Sequence, residues 1–209
     1  MYPTIDQTLY PLLDISRLRI GSDGKGITTL IAGAGCPLNC RWCINKKLLH
    51  HAPVRKVTAE ELYDLVKIDD LYFQATGGGV TFGGGESLLY ASFIKQFREL
   101  VPGTWKINSE TSLAVQPEQL TAAIEAVDLF IVDCKDMDPE IYHKYTGGDN
   151  SLMKQNLHLL LEKTDPEKIL VRIPLIPGYN TEDDRQNSRE ELMKMGVVRF
   201  DLFNYVIKE

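Results

Sequence analysis

The sequence predicts an α/β fold, a partial (β/α)6 barrel. Three observations carry that expectation. Six β-prone runs recur along the chain, helical segments separate them, and chemically distinctive residues gather where the runs end. Strands that alternate with helices pair in parallel and are covered by those helices. In such folds chemistry collects at the C-terminal ends of the strands.

Residues 27–34 form the first β-prone run, and a cysteine-rich loop follows directly. Thr58, then Glu60 and Glu61, caps a helix with Leu62, Leu65 and Val66 on one face. The second run, 79–82, ends in Gly83-Gly84-Gly85-Glu86, and 90–100 carries Phe93, Ile94, Phe97 and Leu100 at helical spacing. The third run is 105–108, and Pro117 opens a helix to about Glu125. The fourth, 129–132, enters Asp133-Cys134-Lys135. Helical pieces at 138–145 and 151–163 precede the fifth run, 169–175. Thr181 caps a helix to Met195, and 197–203 is the sixth run. If Asp133 and Lys135 face inward, Cys134 faces the helix layer, where a free cysteine usually packs.

The chain has no evident internal boundary, so residues 1–209 read as a single domain. With 44% hydrophobic and 25% charged residues it has globular composition, and it is long enough to bury a core without disulfide staples. The net charge is −6 with no long Lys/Arg run, which argues against a nucleic-acid partner. Met1 to Thr4 show no secretory signal, and no apolar stretch approaches the ~20 residues of a membrane span. The expected location is the cytoplasm. In a reducing compartment, clustered cysteines bind metal or react more often than they form disulfides.

Cys36, Cys40 and Cys43 lie within eight residues, and the fourth cysteine, Cys134, is far away in sequence. Three thiolates on one short loop can hold three corners of a [4Fe–4S] cubane and leave one iron open. A zinc site completed by His50 or His51 is an alternative, as are unliganded thiols in a core or an electron-transfer centre. Gly77 to Gly79 alone could be a turn, and Asp133 with Lys135 a structural ion pair. His143 and His158 read as surface or packing residues. The strand-end rim carries the cysteines, Glu86, Glu110-Thr111, Asp133, Lys135, Arg172 and Pro177-Gly178, which together look like a cofactor site.

The segment Cys36-x3-Cys40-x-Trp42-Cys43 resembles the signature of the radical S-adenosylmethionine superfamily. The wider chain, from about Asp23 to Phe203, resembles the activating enzymes of glycyl-radical enzymes, the group that includes the activator of pyruvate formate-lyase. The matching pieces are Asp23-Gly24-x-Gly26-Ile27, Asn45, the glycine run from Gly77 to Glu86, Glu110-Thr111, Asp133-x-Lys135, and Arg172 through Pro177-Gly178.

The resemblance implies a partial (β/α)6 barrel of the radical SAM type. Cys36, Cys40 and Cys43 would ligate a [4Fe–4S] cluster whose fourth iron takes the methionine amino and carboxylate groups of S-adenosylmethionine. Gly84, Gly85 and Glu86 would hold the amino end. Glu110, Thr111 and Asp133 would surround a monovalent cation, with Glu110 standing where the family usually has Asp. Lys135 would meet the carboxylate, Asn45 would line the ribose, and Ile173 to Gly178 would pack the adenine. Asp23 and Arg172 would face the substrate. The implied chemistry is reductive cleavage of S-adenosylmethionine to a 5′-deoxyadenosyl radical in an oxygen-sensitive oxidoreductase. The implied partners are a glycyl-radical enzyme and a flavodoxin- or ferredoxin-type electron donor. A radical enzyme acting on a small molecule or peptide, and a non-catalytic iron–sulfur protein that binds S-adenosylmethionine, are the other readings. The family's His after the sixth strand is absent, Asn204-Tyr205-Val206 standing there, and the end at Glu209 gives the expectation of a shortened C-terminus.

Overall fold

The computed structural model describes residues 8–205. The expectations for Met1 to Thr4, for Val206 and for the C-terminal end at Glu209 lie outside those residues.

Eight strands form one open sheet. In chain order they are β1 (Tyr10–Ile20), β2 (Ile27–Gly33), β3 (Arg55–Val57), β4 (Gly79–Gly84), β5 (Lys106–Thr111), β6 (Leu129–Asp133), β7 (Ile169–Leu175) and β8 (Arg199–Asn204). Their spatial order is β3-β1-β2-β4-β5-β6-β7-β8. From β2 to β8 every pairing is parallel, and these six strands are the six predicted runs. β1 pairs antiparallel with β2 and with β3. The helices are α1 (Lys46–His51), α2 (Ala59–Val66), α3 (Asp70–Thr76), α4 (Ala91–Leu100), α5 (Pro117–Ala123), α6 (Pro139–Thr146), α7 (Ser151–Lys163) and α8 (Glu182–Met195). No helix among the described residues is long and apolar enough to cross a membrane.

The caps follow sequence chemistry. The Thr58 side chain accepts from the Glu61 amide while Glu61 reaches back to the Thr58 amide, a reciprocal box that satisfies two orphan donors at the start of α2. Thr181 and Asp184 repeat it on α8, which stops at left-handed Gly196. Phe93, Ile94 and Phe97 of α4 are buried against β4, with the Phe82 and Phe97 rings edge to face at 5.5 Å. Leu100, expected on the same face, is exposed because it ends the helix.

Two buried polar anchors hold the strand-end loops. The Asn156 amide of α7 donates to the carbonyls of Leu113 and Val115, which fixes the loop leaving β5. Asp136, just after β6, accepts from Ser188 of α8 and from Asn180 after β7. Most buried polar groups in folded proteins are paired in this way.

The sequence reading missed four elements. In β1, register shifts between Leu12 and Asp14 and between Ser16 and Arg19 break the two-residue alternation, and Leu18 takes φ +53°. β3 has three residues. α1 buries no residue, and α3 buries only Phe73. Neither helix therefore has the apolar stripe that periodicity detects. Glu110 and Thr111 lie within β5 rather than after it, and Arg172 sits in the middle of β7.

Candidate active site

β2 runs into the cysteine loop through Gly35, whose φ of +88° turns the chain. The loop is tied down on both sides. Asn39 and Arg41 donate their amides to the carbonyls of Thr146 and Tyr145 at 2.9 and 3.0 Å. On the other side, the Gly85 and Glu86 amides donate to Gly33 and Gly35 at 3.0 and 2.9 Å. The Asn45 amide closes the loop by donating to the Gly84 carbonyl at 2.8 Å. Gly84 and Gly85 are glycine for local reasons. Gly84 has φ +87°, and a Cβ on Gly85 would lie 2.0 Å from the Gly35 oxygen.

A cavity of about 580 Å³ opens at the C-terminal rim of the parallel strands. All thirteen residues singled out from the sequence line it: Cys36, Cys40, Cys43, Asp23, Asn45, Gly84, Gly85, Glu86, Glu110, Thr111, Asp133, Lys135 and Arg172. Its size suits a nucleoside-sized ligand. The segment Ile173 to Gly178 does not line it. Ile173 and Ile176 are buried in the fold, while Pro177 and Gly178 face solvent. Phe203, Asn204 and Tyr205 line it instead, and Tyr205 donates its hydroxyl to the Trp42 carbonyl.

The ionisable groups are paired. Glu86 is buried and accepts from Leu88 and Thr111 on Oε1 and from the amide and hydroxyl of Ser112 on Oε2. Burial pushes its carboxyl above the ordinary range, and the Ser112 and Thr111 bonds hold it back. Glu110 accepts from Arg172 Nη1 at 2.8 Å, and burial raises its carboxyl as well. Arg172 also reaches the Ser22 carbonyl, and its Nε lies 3.5 Å from Asp201. Lys135 Nζ donates to Asp133 at 3.0 Å. Burial works to lower the pKa of Lys135, but the charges of Asp133 and Cys40 outweigh it and the net shift is upward. Asp23 is buried and held by Arg19, with Nη2 on Oδ1 at 3.0 Å.

Sequence reasoning missed Arg19 and Ser112. The signal for Ser112 was its place directly after Glu110-Thr111 at a strand end. Arg19 precedes Asp23 by four residues, but only the bulged β1–β2 hairpin brings the two together.

The family model of the Radical SAM superfamily matches residues 30–189. The chain belongs to the radical SAM superfamily. The (2S)-3-sulfopropanediol dehydratase activating enzyme of Klebsiella oxytoca is 27% identical, across 84% of this chain and 74% of its own length. The pyruvate formate-lyase-activating enzyme of Staphylococcus epidermidis is 30% identical, across 83% of this chain and 69% of its own. Streptococcus suis SuiB bound to S-adenosylmethionine shares the fold with a TM-score of 0.63 at 14% identity. That match covers 82% of this chain and 38% of the SuiB chain.

A radical SAM fold implies a [4Fe–4S] cluster and S-adenosylmethionine, and the donor set can be tested against both. The three loop thiols are near enough that Cys40 and Cys43 each raise the Cys36 pKa, although burial is the larger cause, pushing it up to about 12. Cys36 counts as exposed, but it lines the cavity, where surrounding protein desolvates the thiol. Among the described residues no three His, Cys, Asp or Glu side chains converge on a single metal ion. Zinc would require donors about 3.8 Å apart, from tetrahedral geometry at a 2.3 Å bond. Three thiols presented to one cavity by a single short loop suit three corners of a cluster. Cys134 is buried away from the cavity, as expected from strand alternation. The cation expectation fits less well, because Glu110 is held by Arg172, Asp133 by Lys135, and the Thr111 hydroxyl by Glu86.

Proposed function

We propose that this chain is an activating enzyme that cleaves S-adenosylmethionine reductively and takes a hydrogen atom from a glycine of a partner glycyl-radical enzyme. The observation that carries the reading is the cavity itself. Three thiols from one loop, Asn45 at its end and nine further residues from five other segments line one cavity. Likeness to activating enzymes of 25–30% identity over most of the chain supports the same conclusion.

In this reading Cys36, Cys40 and Cys43 hold the cluster, which when bound supplies the electron that breaks the sulfonium bond to the 5′ carbon. The remaining work belongs to the chain. Lys135 donates one hydrogen to Asp133 and keeps two of its three for a ligand carboxylate. The buried negative charge of Glu86 favours a sulfonium and an ammonium nearby. Asn45 pins the cysteine loop to Gly84 and so fixes the spacing between the thiols and the glycine wall. Asp23 and Arg172, locked by Arg19 and Glu110, shape the side of the cavity that would receive the glycine loop. Exclusion of water by the bound partner loop would protect the radical from quenching.

The test is anaerobic. Protein reconstituted with iron and sulfide is given dithionite, S-adenosylmethionine and pyruvate formate-lyase, the enzyme named in one of the relatives above. The expected result is 5′-deoxyadenosine together with a glycine-centred radical seen by electron paramagnetic resonance, both lost in Cys36→Ala, Cys40→Ala and Cys43→Ala. Deoxyadenosine without any protein radical would favour a small-molecule or peptide substrate. Product that persists in the cysteine variants would overturn the reading altogether.

A further inference from the structure

Between Asp23 and Glu60 the chain has no acidic residue, although its net charge is −6. Arg41, Lys46, Lys47, Arg55 and Lys56 fall in this stretch, and all five are exposed. Among the described residues none of the five side chains has an ion-pair or hydrogen-bond partner. Elsewhere many cations face acids, as Arg17 does with Asp69, Lys67 with Asp64, Arg98 with Asp128 and Lys154 with Glu191, while among the described residues Lys163, Lys168 and Lys194 stand singly near acids in sequence. The stretch is therefore a field of one sign on a protein of the other.

Its position matters as much as its sign. α1 begins three residues after Cys43 and is about 9 Å long at 1.5 Å per residue. Lys46 and Lys47 therefore lie within one turn of the cysteine loop. Apolar side chains are interleaved with the cations: Trp42 is 39% exposed, Ile44 70% and Val54 52%. Exposed apolar groups rimmed by charge suit a transient protein interface, and an unpaired field steers a partner of opposite sign. A nucleic acid would also answer the cations, but a single-strand site adds a series of stacking aromatics, and Trp42 is the only Phe, Tyr or Trp between Asp23 and Glu60.

We propose that the face formed by Arg41, Trp42, Ile44, Lys46 and Lys47, continued by Arg55 and Lys56, docks a small acidic one-electron carrier protein. The carrier loses one electron and the group held by Cys36, Cys40 and Cys43 gains it. No bond forms or breaks, and no proton has to move. The inference rests on the cluster reading of the preceding section and identifies where its reductant binds.

The experiment uses iron-loaded protein and a purified bacterial flavodoxin as the acidic probe. In the double variants Lys46→Glu/Lys47→Glu and Arg55→Glu/Lys56→Glu, flavodoxin association at 50 mM salt should weaken at least tenfold. The difference should close at 500 mM salt, where screening is strong. Flavodoxin-driven deoxyadenosine formation should fall by a similar factor, while dithionite-driven formation stays within twofold of wild type. If a reversed variant fails to take up iron, Lys46→Gln/Lys47→Gln replaces it, with an expected loss of about threefold. Association unchanged by charge reversal at low salt would overturn the docking face, as would a single-stranded RNA 20-mer that binds the face and is not displaced by flavodoxin. Failure of dithionite with the wild-type protein would instead sink the cluster reading, and the association measurement would still judge the docking face.

Discussion

Gly85 is where the cysteine loop and the glycine wall meet most closely, so it gives the sharpest test of how the site is held. An alanine Cβ there would lie 2.0 Å from the Gly35 oxygen and 3.1 Å from the Gly33 oxygen. Both obstacles are backbone, so no side chain can swing away. Relief requires the two chains to separate by more than 1 Å, by the ordinary carbon–oxygen contact of about 3.3 Å. Overpacking of this kind costs about 1–3 kcal/mol. Separation also strains the Gly85-to-Gly33 and Glu86-to-Gly35 bonds at 3.0 and 2.9 Å, each contributing about 0.5–1.5 kcal/mol net. Gly85→Ala should therefore destabilise by about 2–6 kcal/mol, a urea midpoint shift of about 1–3 M if the slope is about 2 kcal/mol per M. The control is Gly103→Ala, where no atom lies within 4 Å and φ is not left-handed. It should be neutral or stabilise by up to about 1 kcal/mol through the unfolded chain. Urea unfolding followed by Trp105 fluorescence, with iron content after reconstitution, checks both. A Gly85→Ala protein within 0.5 kcal/mol of wild type that loads iron normally would refute the reasoning.

Because Arg172 already neutralises Glu110, S-adenosylmethionine affinity of the iron-loaded protein should change less than about twofold when potassium is exchanged for tetramethylammonium. Glu110→Asp shortens the acid by one methylene and should create a potassium dependence visible by calorimetry; tenfold dependence in the wild type would contradict this. The Asp70 carboxyl is held below its ordinary value, first by Gln74 and then by the Trp105 indole N–H at 2.6 Å. A depressed folded pKa gives stability that is present above the unfolded value of 3.8 and lost as pH falls through the folded one. Trp105→Phe should raise the Asp70 pKa toward 3.8 by NMR titration and flatten the acid limb of stability; an unmoved Asp70 would exclude the indole bond.

β2, β4, β6 and β7 were legible as short, largely buried runs, whereas β5 carries Asn108, Ser109 and Glu110 and β8 buries no residue, so those two were legible mainly by their place in the alternation of strand and helix. The antiparallel side of the sheet was not, because β1 is read by neither of the simple periods. Its two register shifts place Arg17 and Arg19 where they reach Asp69 and Asp23, so the irregularity that hid the strand also aims its side chains. Most of the lining residues were legible because they cluster toward the ends of the predicted runs, and Asp23 and Asn45 only through the family resemblance. What was not legible was how they pair. Glu110 with Arg172 joins β5 to β7 across the intervening β6, a contact that no local pattern reports. The cationic stretch from Arg41 to Lys56 was hidden for a different reason. Its cations are spread over sixteen residues, and the signal lies in the missing acids rather than in any basic run.

Hydrogen-bond capacity separates the residues that can still receive a ligand from those already committed. A carboxylate has about four acceptor positions, and Glu86 has four donors on it, two per oxygen. A ligand ammonium could bond it directly only by displacing Thr111, Ser112 or Leu88. Its contribution to a bound sulfonium is therefore charge acting across a short distance, while its bonds hold β4 to the loop after β5. Arg172 places three of its five donors on Glu110, Ser22 and Asp201, which fixes its orientation. Lys135 is freer, with one hydrogen on Asp133 and two left over among the described residues, and Arg19, with two donors on Asp23, keeps part of its fork open as well. A carboxylate that enters this cavity and bonds Lys135 sits beside Cys40, and that contact orients the rest of the ligand.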